Sequence, residues 1–127
     1  MRASHLYDSD YRPAAPVFPI GIGPSGEETI RLELIAFIDT GADVTMLPSD
    51  VLRSAGGRLL EKGRMRGVTG ESEIVNLYSI AIHIAGITVH GIRAAAMKKN
   101  KEAILGRDVL NQLELTLNGP AQETWVA

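Results

Sequence analysis

Residues 37–47 read Phe-Ile-Asp-Thr-Gly-Ala-Asp-Val-Thr-Met-Leu, and the acidic Asp39 stands directly after an apolar run. The preceding residues, 29–38, alternate at first and then become continuously apolar, a pattern typical of a strand that passes from the surface into the core. Such a strand would hold Asp39 on rigid backbone, and Gly41 would permit a tight turn behind it. Rigid placement is what a general acid or base needs, so Asp39 is the candidate catalytic residue.

A second segment, residues 104–110, reads Ile-Leu-Gly-Arg-Asp-Val-Leu, and a polar, glycine-bearing stretch lies between it and Asp39. That stretch predicts a mobile hairpin over residues 62–73 with its tip at residues 67–70, Gly-Val-Thr-Gly. In this order the three elements resemble those of the retropepsins, the retroviral-type aspartic proteases. The resemblance spans about residues 20–117, and the combination is specific although each piece alone is short.

The resemblance implies an aspartic endopeptidase in which each chain supplies half of the active site. A single Asp39 cannot both activate water and protonate the scissile amide, so the second carboxylate must come from another copy. The expected enzyme is a homodimer that cleaves an extended polypeptide with a water held between two Asp39 side chains sharing one proton, a behaviour known for aspartic proteases. It would need no cofactor and no metal. The alternative is a retropepsin-fold binding or dimerisation module with little or no proteolytic activity.

By the same resemblance the site residues take distinct roles. Catalysis would fall to Asp39 with Thr40, whose hydroxyl would lock the loop against its symmetry mate, and with Gly41, which would contact the substrate backbone. A pair between Asp43 and Arg107 would orient the loop, and the hairpin tip would close over the substrate as a flap. The substrate-binding residues implied are Ala42, Asp43, Gly67, Val68, Thr69, Gly70 and Ile104, and the supporting residues are Gly106 and Arg107.

The rest of the pattern predicts a mostly β single domain with one or two short helices, which the resemblance implies is the closed barrel of the retropepsin-like acid proteases. Helices are expected at residues 48–54 and 107–113. Residues 77–84 and 87–95 predict a second hairpin that turns at Ala85-Gly86. Three parts are expected along the chain: an N-terminal arm or edge strand (1–19), the protease domain (20–119) and a C-terminal tail (120–127).

Bulk composition excludes several functional classes. The chain of 127 residues has 13 basic and 15 acidic residues and a net charge of −2, which gives no electrostatic footprint for nucleic acid or an anionic membrane. The absence of cysteine excludes a disulfide scaffold, a thiol nucleophile and a cysteine-ligated zinc site. No segment resembles a signal peptide or reaches bilayer length, so a cytoplasmic location is expected.

Residues 21–26, Gly-Ile-Gly-Pro-Ser-Gly, match the dinucleotide-binding pattern G-x-G-x-x-G. That motif works only where it leaves a strand and opens a helix whose N-terminus faces the pyrophosphate. Here a proline-rich arm precedes the glycines and a strand-like run follows them. The sequence therefore favours a turn between two strands over a cofactor site.

Overall fold

Strands dominate the part of the chain that the computed structural model describes, residues 2–67, 69–98 and 101–127. In chain order the elements are β1 (Ala3–Leu6), β2 (Val17–Pro24), β3 (Leu32–Ile38), β4 (Met46–Pro48), α1 (Ser49–Ser54), β5 (Arg58–Arg66), β6 (Ser72–Ile84), β7 (Ile87–Met97), β8 (Ile104–Leu105), α2 (Arg107–Leu110), β9 (Leu115–Asn118) and β10 (Glu123–Val126). The prediction of a mostly β single domain with short helices is confirmed. No helix within these residues is long and apolar enough to cross a bilayer.

The larger of the two sheets brings the two sequence motifs together. Its seven strands run in the order β2-β3-β8-β4-β7-β6-β5, and β2 also pairs with β6. The short β8 pairs in parallel with β3 and antiparallel with β4, so it lies between the two strands that flank the Asp-Thr-Gly loop. The residues after β8 therefore emerge beside that loop, although more than 60 residues separate them in the chain.

Aliphatic side chains from several strands of this sheet fill the core behind the loop. Ile22 of β2, Ile80 and Ile82 of β6 and Leu105 of β8 are completely buried. Burying one such side chain stabilises the fold by about 1.5–3 kcal/mol. Because β8 is anchored by this core, the backbone that neighbours the end of β3 is rigidly placed.

The second predicted hairpin is confirmed, since β6 and β7 pair up to Ile84 and Ile87 around Ala85-Gly86. Both turn residues have positive φ, 50° for Ala85 and 76° for Gly86, as a two-residue type I′ turn requires. Alanine is an unusual residue in that conformation, because its Cβ is crowded there. The sequence signal at this turn was therefore the β-rich flanks and the glycine.

The glycine-rich segment is only partly the turn that the sequence predicts. Gly21 and Gly23 lie inside β2, and the chain turns at Ser25 and Gly26. A Cβ on Gly23 would collide with the backbone oxygen of Thr29, so the glycine is needed for close approach of two backbones within the hairpin. The element that follows is the strand β3, as the turn interpretation predicted.

The short helices are confirmed with shifted ends. The prediction over residues 48–54 corresponds to α1, Ser49–Ser54, which Gly56 follows with φ 78°. The second helix, α2, spans only Arg107–Leu110, and residues 111–113 form turns instead of helix. Backbone bonds three residues apart, from Gln112 N–H to Val109 O and from Leu113 N–H to Leu110 O, tighten this end of the helix.

Both ends of the chain join a separate three-stranded sheet in the order β1-β10-β9. The antiparallel registers pair Ser4 with Trp125 and Trp125 with Thr116. The N-terminal arm therefore contributes an edge strand at Ala3–Leu6, one of the two alternatives that the sequence left open. The strand β2 crosses the division predicted at residue 19, and that division stays a prediction.

A polar cluster ties the loop between β2 and β3 to β7. The Thr88 hydroxyl donates to Glu28 Oε2 at 2.9 Å, and His90 Nε2 lies 3.2 Å from Glu28 Oε1. Gly26 N–H donates to His90 Nδ1 at 3.0 Å, so the neutral ring carries its proton on Nε2 and donates it to Glu28. Hydrogen bonds from Thr88 and then His90 lower the pKa of Glu28 below its usual 4.5.

Glu28→Gln is expected to reduce the loss of unfolding free energy that occurs when the pH is lowered. The carboxylate contributes stability above its unfolded pKa of 4.5, and this contribution is lost as pH falls through the lowered pKa of the folded state. The check is urea unfolding at about pH 7 and about pH 3.5. Wild type should lose more stability between the two than Glu28→Gln, with Glu27→Gln as the matched control. An identical loss in wild type and Glu28→Gln would contradict the prediction.

Candidate active site

The backbone fixes Asp39 at the end of β3, where the sequence predicts it. Its N–H donates to Leu105 O at 3.1 Å, and its carbonyl oxygen accepts from Ala42 N–H at 3.2 Å. Within the same turn Gly41 N–H donates to Asp39 Oδ1 at 2.9 Å. The carboxylate is partly exposed, so it is held in one orientation and still open to a reactant from the other side.

Arg107, the first residue of α2, braces the loop after Asp39 at three points. Its N–H donates to Ala42 O at 2.9 Å, its Nη1 donates to Thr40 O at 2.8 Å, and its Nη2 forms an ion pair with the Asp43 carboxylate. The Asp43 side chain is 83% exposed, so solvent screening leaves this pair worth no more than about 1 kcal/mol. Its effect is therefore to orient the loop.

Gly106, which precedes Arg107, is buried against the same loop. A Cβ at this position would lie 2.5 Å from the Val44 carbonyl carbon, 2.6 Å from Val44 O and 3.0 Å from Ala42 O. Its φ of −94° is accessible to any residue, so the reason for glycine is space alone. The two motifs therefore pack backbone against backbone.

Sequence reasoning missed the polar pair beneath the loop, Thr45 and Asp108. Thr45 is fully buried; its hydroxyl donates to Asp108 Oδ1 at 2.8 Å, and its N–H donates to Asp108 Oδ2 at 3.0 Å. The same hydroxyl accepts from Gly106 N–H at 3.2 Å. The available signal was a lone polar residue in the apolar run that leads into β4, together with an acidic residue in the first turn of α2.

Thr45→Val is expected to lower the free energy of unfolding by about 1–3 kcal/mol, because it leaves the Asp108 carboxylate and Gly106 N–H without their buried partner. Valine has nearly the same shape, so the loss reports the hydroxyl and not a cavity. Urea unfolding measures it. Thr116→Val, on the exposed side of β9, is the matched control and should change stability by less than about 0.5 kcal/mol. Equal effects in both variants would mean that the buried hydroxyl contributes nothing.

One face of the large sheet carries apolar side chains from Asp39 toward the β5–β6 hairpin. Phe37 precedes Asp39 by two residues and so points to the same side of β3. Residues paired on neighbouring strands lie on the same face of a sheet. Four successive pairs extend the face that carries Asp39 across the sheet: Phe37 with Ile104, Ile104 with Met46, Met46 with Ala95, and Ala95 with Leu77. Of these, the sequence singled out only Ile104. We call this side of the sheet the cleft face.

The cleft face continues onto the hairpin through the pairs Gly63 with Val75 and Met65 with Glu73. At the tip, Gly67 N–H donates to Glu71 O at 2.9 Å and Gly70 N–H donates to Gly67 O at 3.0 Å. Gly67, Thr69 and Gly70 are exposed, and Val68 lies outside the described residues. Hydrogen bonds between described residues join the Asp39 loop to the segment around Arg107, and none joins that loop to the tip.

Asp39 lines neither of two cavities in the described part of the chain. One of about 410 Å³ opens beside His83 and Glu33, and one of about 360 Å³ borders Phe37 and Tyr11. The rings of Tyr11 and Phe37 meet edge to face with centroids 4.9 Å apart. Within the described residues no group of three or more His, Cys, Asp or Glu side chains is placed to hold a metal ion.

Comparison of the sequence with known families gives a match over residues 31–112, more than half of the chain, to the family described as gag-polyprotein putative aspartyl protease. The matched span includes the Asp-Thr-Gly loop, the hairpin and the Gly-Arg segment. Comparison with curated proteins gave no significant match.

Solved structures similar to this chain include three retropepsin-like proteins. EIAV protease in complex with an inhibitor is 23% identical, with a TM-score of 0.60 over 77% of this chain and 86% of that one. A retropepsin-like aspartic protease from Rickettsia conorii is 11% identical, with a TM-score of 0.68 over 99% and 91%. The retroviral protease-like domain of Ddi1 from Leishmania major is 16% identical, with a TM-score of 0.53 over 84% and 82%. The chain therefore has the retropepsin-like fold and belongs to the family of gag-polyprotein aspartyl proteases.

Proposed function

We propose that this chain is an aspartic endopeptidase that acts as a homodimer on extended polypeptides, with one Asp39 from each subunit. The observation that carries the proposal is the placement of Asp39, which directly follows a strand beside the core, with Oδ1 held by Gly41 N–H at 2.9 Å and its loop braced by Arg107. Membership of an aspartyl protease family supports hydrolase chemistry.

The proposed reaction uses both carboxylates in turn. The ionised Asp39 accepts a proton from water as the water oxygen bonds to the carbonyl carbon, while the protonated Asp39 of the second copy donates to the carbonyl oxygen. The resulting tetrahedral diol collapses as the Asp39 that took the water proton gives it to the amide nitrogen, which leaves as an amine. The other Asp39 takes back a proton from a diol hydroxyl as the carboxyl group forms, so the pair again holds one proton. In this arrangement Thr40 would bond across the two-fold axis, and Gly41, Ala42 and Asp43 would contact the substrate backbone.

The apolar cleft face is the proposed floor of the substrate site. Ile104 would contribute to it beside the catalytic loop, and the hairpin tip, Gly67, Val68, Thr69 and Gly70, would close over the bound segment. Gly106 and Arg107 would support the loop from behind. Extended substrates suit this site because strand-like peptides present alternate side chains to a surface while their backbone remains free to bond.

The proposed dimer requires a surface for the second copy. The strand β9 is an end strand of the terminal sheet, and Leu117 on it is 44% exposed, so its free edge can pair with another chain. If β9 of the two copies paired, their terminal sheets would join into one sheet. The strand β1 pairs with β10 of its own chain and would lie at the outer edge of that joined sheet. We further propose that the pairing of β2 with β6 closes the large sheet into the barrel expected of the family.

A peptide library incubated with the protein at several concentrations, with mass measured by light scattering, tests the proposal. We expect cleavage by a dimer, and specific activity that falls as dilution dissociates it. Full activity in a monomer would exclude the shared site. A stable dimer that leaves the library intact would favour the binding module instead.

A further inference from the structure

The strand β5 forms an open end of the large sheet. It spans nine residues, Arg58–Arg66, and stands last in the strand order with β6 as its one partner among the described strands. Along its other side the backbone groups of β5 pair with no strand of the described part of the chain. Such an edge is a template for an added strand, since main-chain bonds there supply affinity and alternate side chains supply specificity.

Three cations occupy one side of this edge strand. Lys62, Arg64 and Arg66 stand at alternate positions and are all exposed, so their side chains project from the same face. That face is opposite to the cleft face, which carries Gly63 and Met65. The residues paired with the three cations are uncharged: Asn76, Ile74 and Ser72. We call Lys62, Arg64 and Arg66 the basic stripe.

Carboxylates of the hairpin strands do not neutralise the basic stripe. Glu61 and Glu73 lie on the cleft face, and Glu61 forms an ion pair with Arg93 of β7. Among the described residues no ion pair includes a member of the stripe. Three positive charges therefore stand together on one face of the hairpin, in a chain whose net charge is −2, and they repel a second copy of the stripe while attracting acidic groups.

An exposed apolar side chain lies within the same surface. Ile74 is 63% exposed and pairs directly with Arg64, whose Nη1 donates to Ser72 Oγ at 3.3 Å. Cations alone would be enough to keep an edge from pairing with other chains. Ile74, beside Arg64 on the neighbouring strand β6, adds exposed apolar surface to the same face.

We propose that the free edge of β5 binds an acidic polypeptide segment as an added strand, with Asp or Glu at alternate positions facing the basic stripe. Side chains directly across two strands stand about 5 Å apart at Cβ, so acids spaced by two residues meet Lys62, Arg64 and Arg66 one to one. This inference goes beyond the proposed peptidase and does not depend on it. In an active enzyme the site would recruit substrates whose acidic stretch lies outside the cleft.

Fluorescence anisotropy with two labelled peptides of one composition tests the pattern, using Asp39→Asn protein so that no probe is consumed. One peptide alternates glutamate and threonine, and the other carries its glutamates in a contiguous block. We expect the alternating peptide to bind about tenfold more tightly, and its affinity to fall as NaCl rises from about 50 to about 300 mM. Equal affinity for the two peptides would overturn the strand-addition proposal.

Variants locate the site. Replacing the basic stripe with serine (Lys62→Ser, Arg64→Ser, Arg66→Ser) should weaken the alternating peptide about tenfold or more. A control with the same change in net charge, Arg12→Ser, Arg53→Ser, Lys101→Ser, should bind as the parent does, and similar losses in both triple variants would overturn the proposal. Stripe-dependent binding to single-stranded RNA or to vesicles containing phosphatidylserine that is tighter than binding to the peptide would assign the surface to another partner.

Discussion

Asp39→Asn is expected to slow peptide cleavage at least about a thousandfold while the chain stays folded and dimeric. The asparagine amide oxygen can still accept the 2.9 Å bond from Gly41 N–H, so the turn at the end of β3 keeps its shape. The amide can neither take a proton from water nor hold one for the substrate carbonyl. The loss would therefore report proton transfer and not a distorted loop.

The measurement is the initial rate on a peptide found in the library, with pepstatin binding as a second readout. Asp10→Asn, an exposed carboxylate in the N-terminal segment, is the matched control and should cleave at the wild-type rate. After subunit exchange, an equal mixture of wild type and Asp39→Asn should show about one quarter of the activity of wild type at the same total concentration, because random pairing gives one dimer in four with two Asp39 side chains. A fully exchanged mixture that keeps about three quarters of the activity would show that one carboxylate per dimer is enough, because three dimers in four then carry at least one Asp39.

Much of the fold could be predicted because its signals are local. The apolar run before Asp39 predicted β3, the pattern around residues 48–54 predicted α1, and the β-rich runs on either side of Ala85-Gly86 predicted the β6–β7 hairpin. Each depends on periodicity or turn chemistry within about ten residues. The glycines of β2 were assigned to a turn because their neighbours, the Thr29 backbone against Gly23 and the Ile30 side chain against Gly21, come close only in the folded hairpin.

The parts of the site that sequence reasoning missed depend on register and on distant contacts. Thr45 and Asp108 are 63 residues apart and meet because β8 inserts between β3 and β4. Phe37 and Leu77 share the cleft face through pairs that cross five strands. A change of register by one residue at any of those strands would turn the side chains to the other face. Composition and motif spacing do not tell which register the strands adopt.

Gly106→Ala is expected to lower the free energy of unfolding by about 3 kcal/mol or more and to remove activity with it. The added methyl group would stand 2.5 Å from the Val44 carbonyl carbon and 2.6 Å from Val44 O, so backbone must move. Relief is difficult because both sides are tied: Gly106 N–H donates to Thr45 Oγ1 at 3.2 Å, and Arg107 N–H donates to Ala42 O at 2.9 Å.

Urea unfolding of Gly106→Ala, read as a shift in midpoint at unchanged slope, measures this effect. Gly119→Ala is the matched control, because nothing lies within 4 Å of a Cβ there and its φ is not in the left-handed range; it should stay within about 0.5 kcal/mol of wild type. Any shift that accommodates the methyl group displaces the loop that carries Asp39, so activity should fall even where the variant remains folded. A folded, fully active Gly106→Ala protein would show that the loop is free to move, and that the packing of the Gly-Arg segment against it does not position the carboxylate.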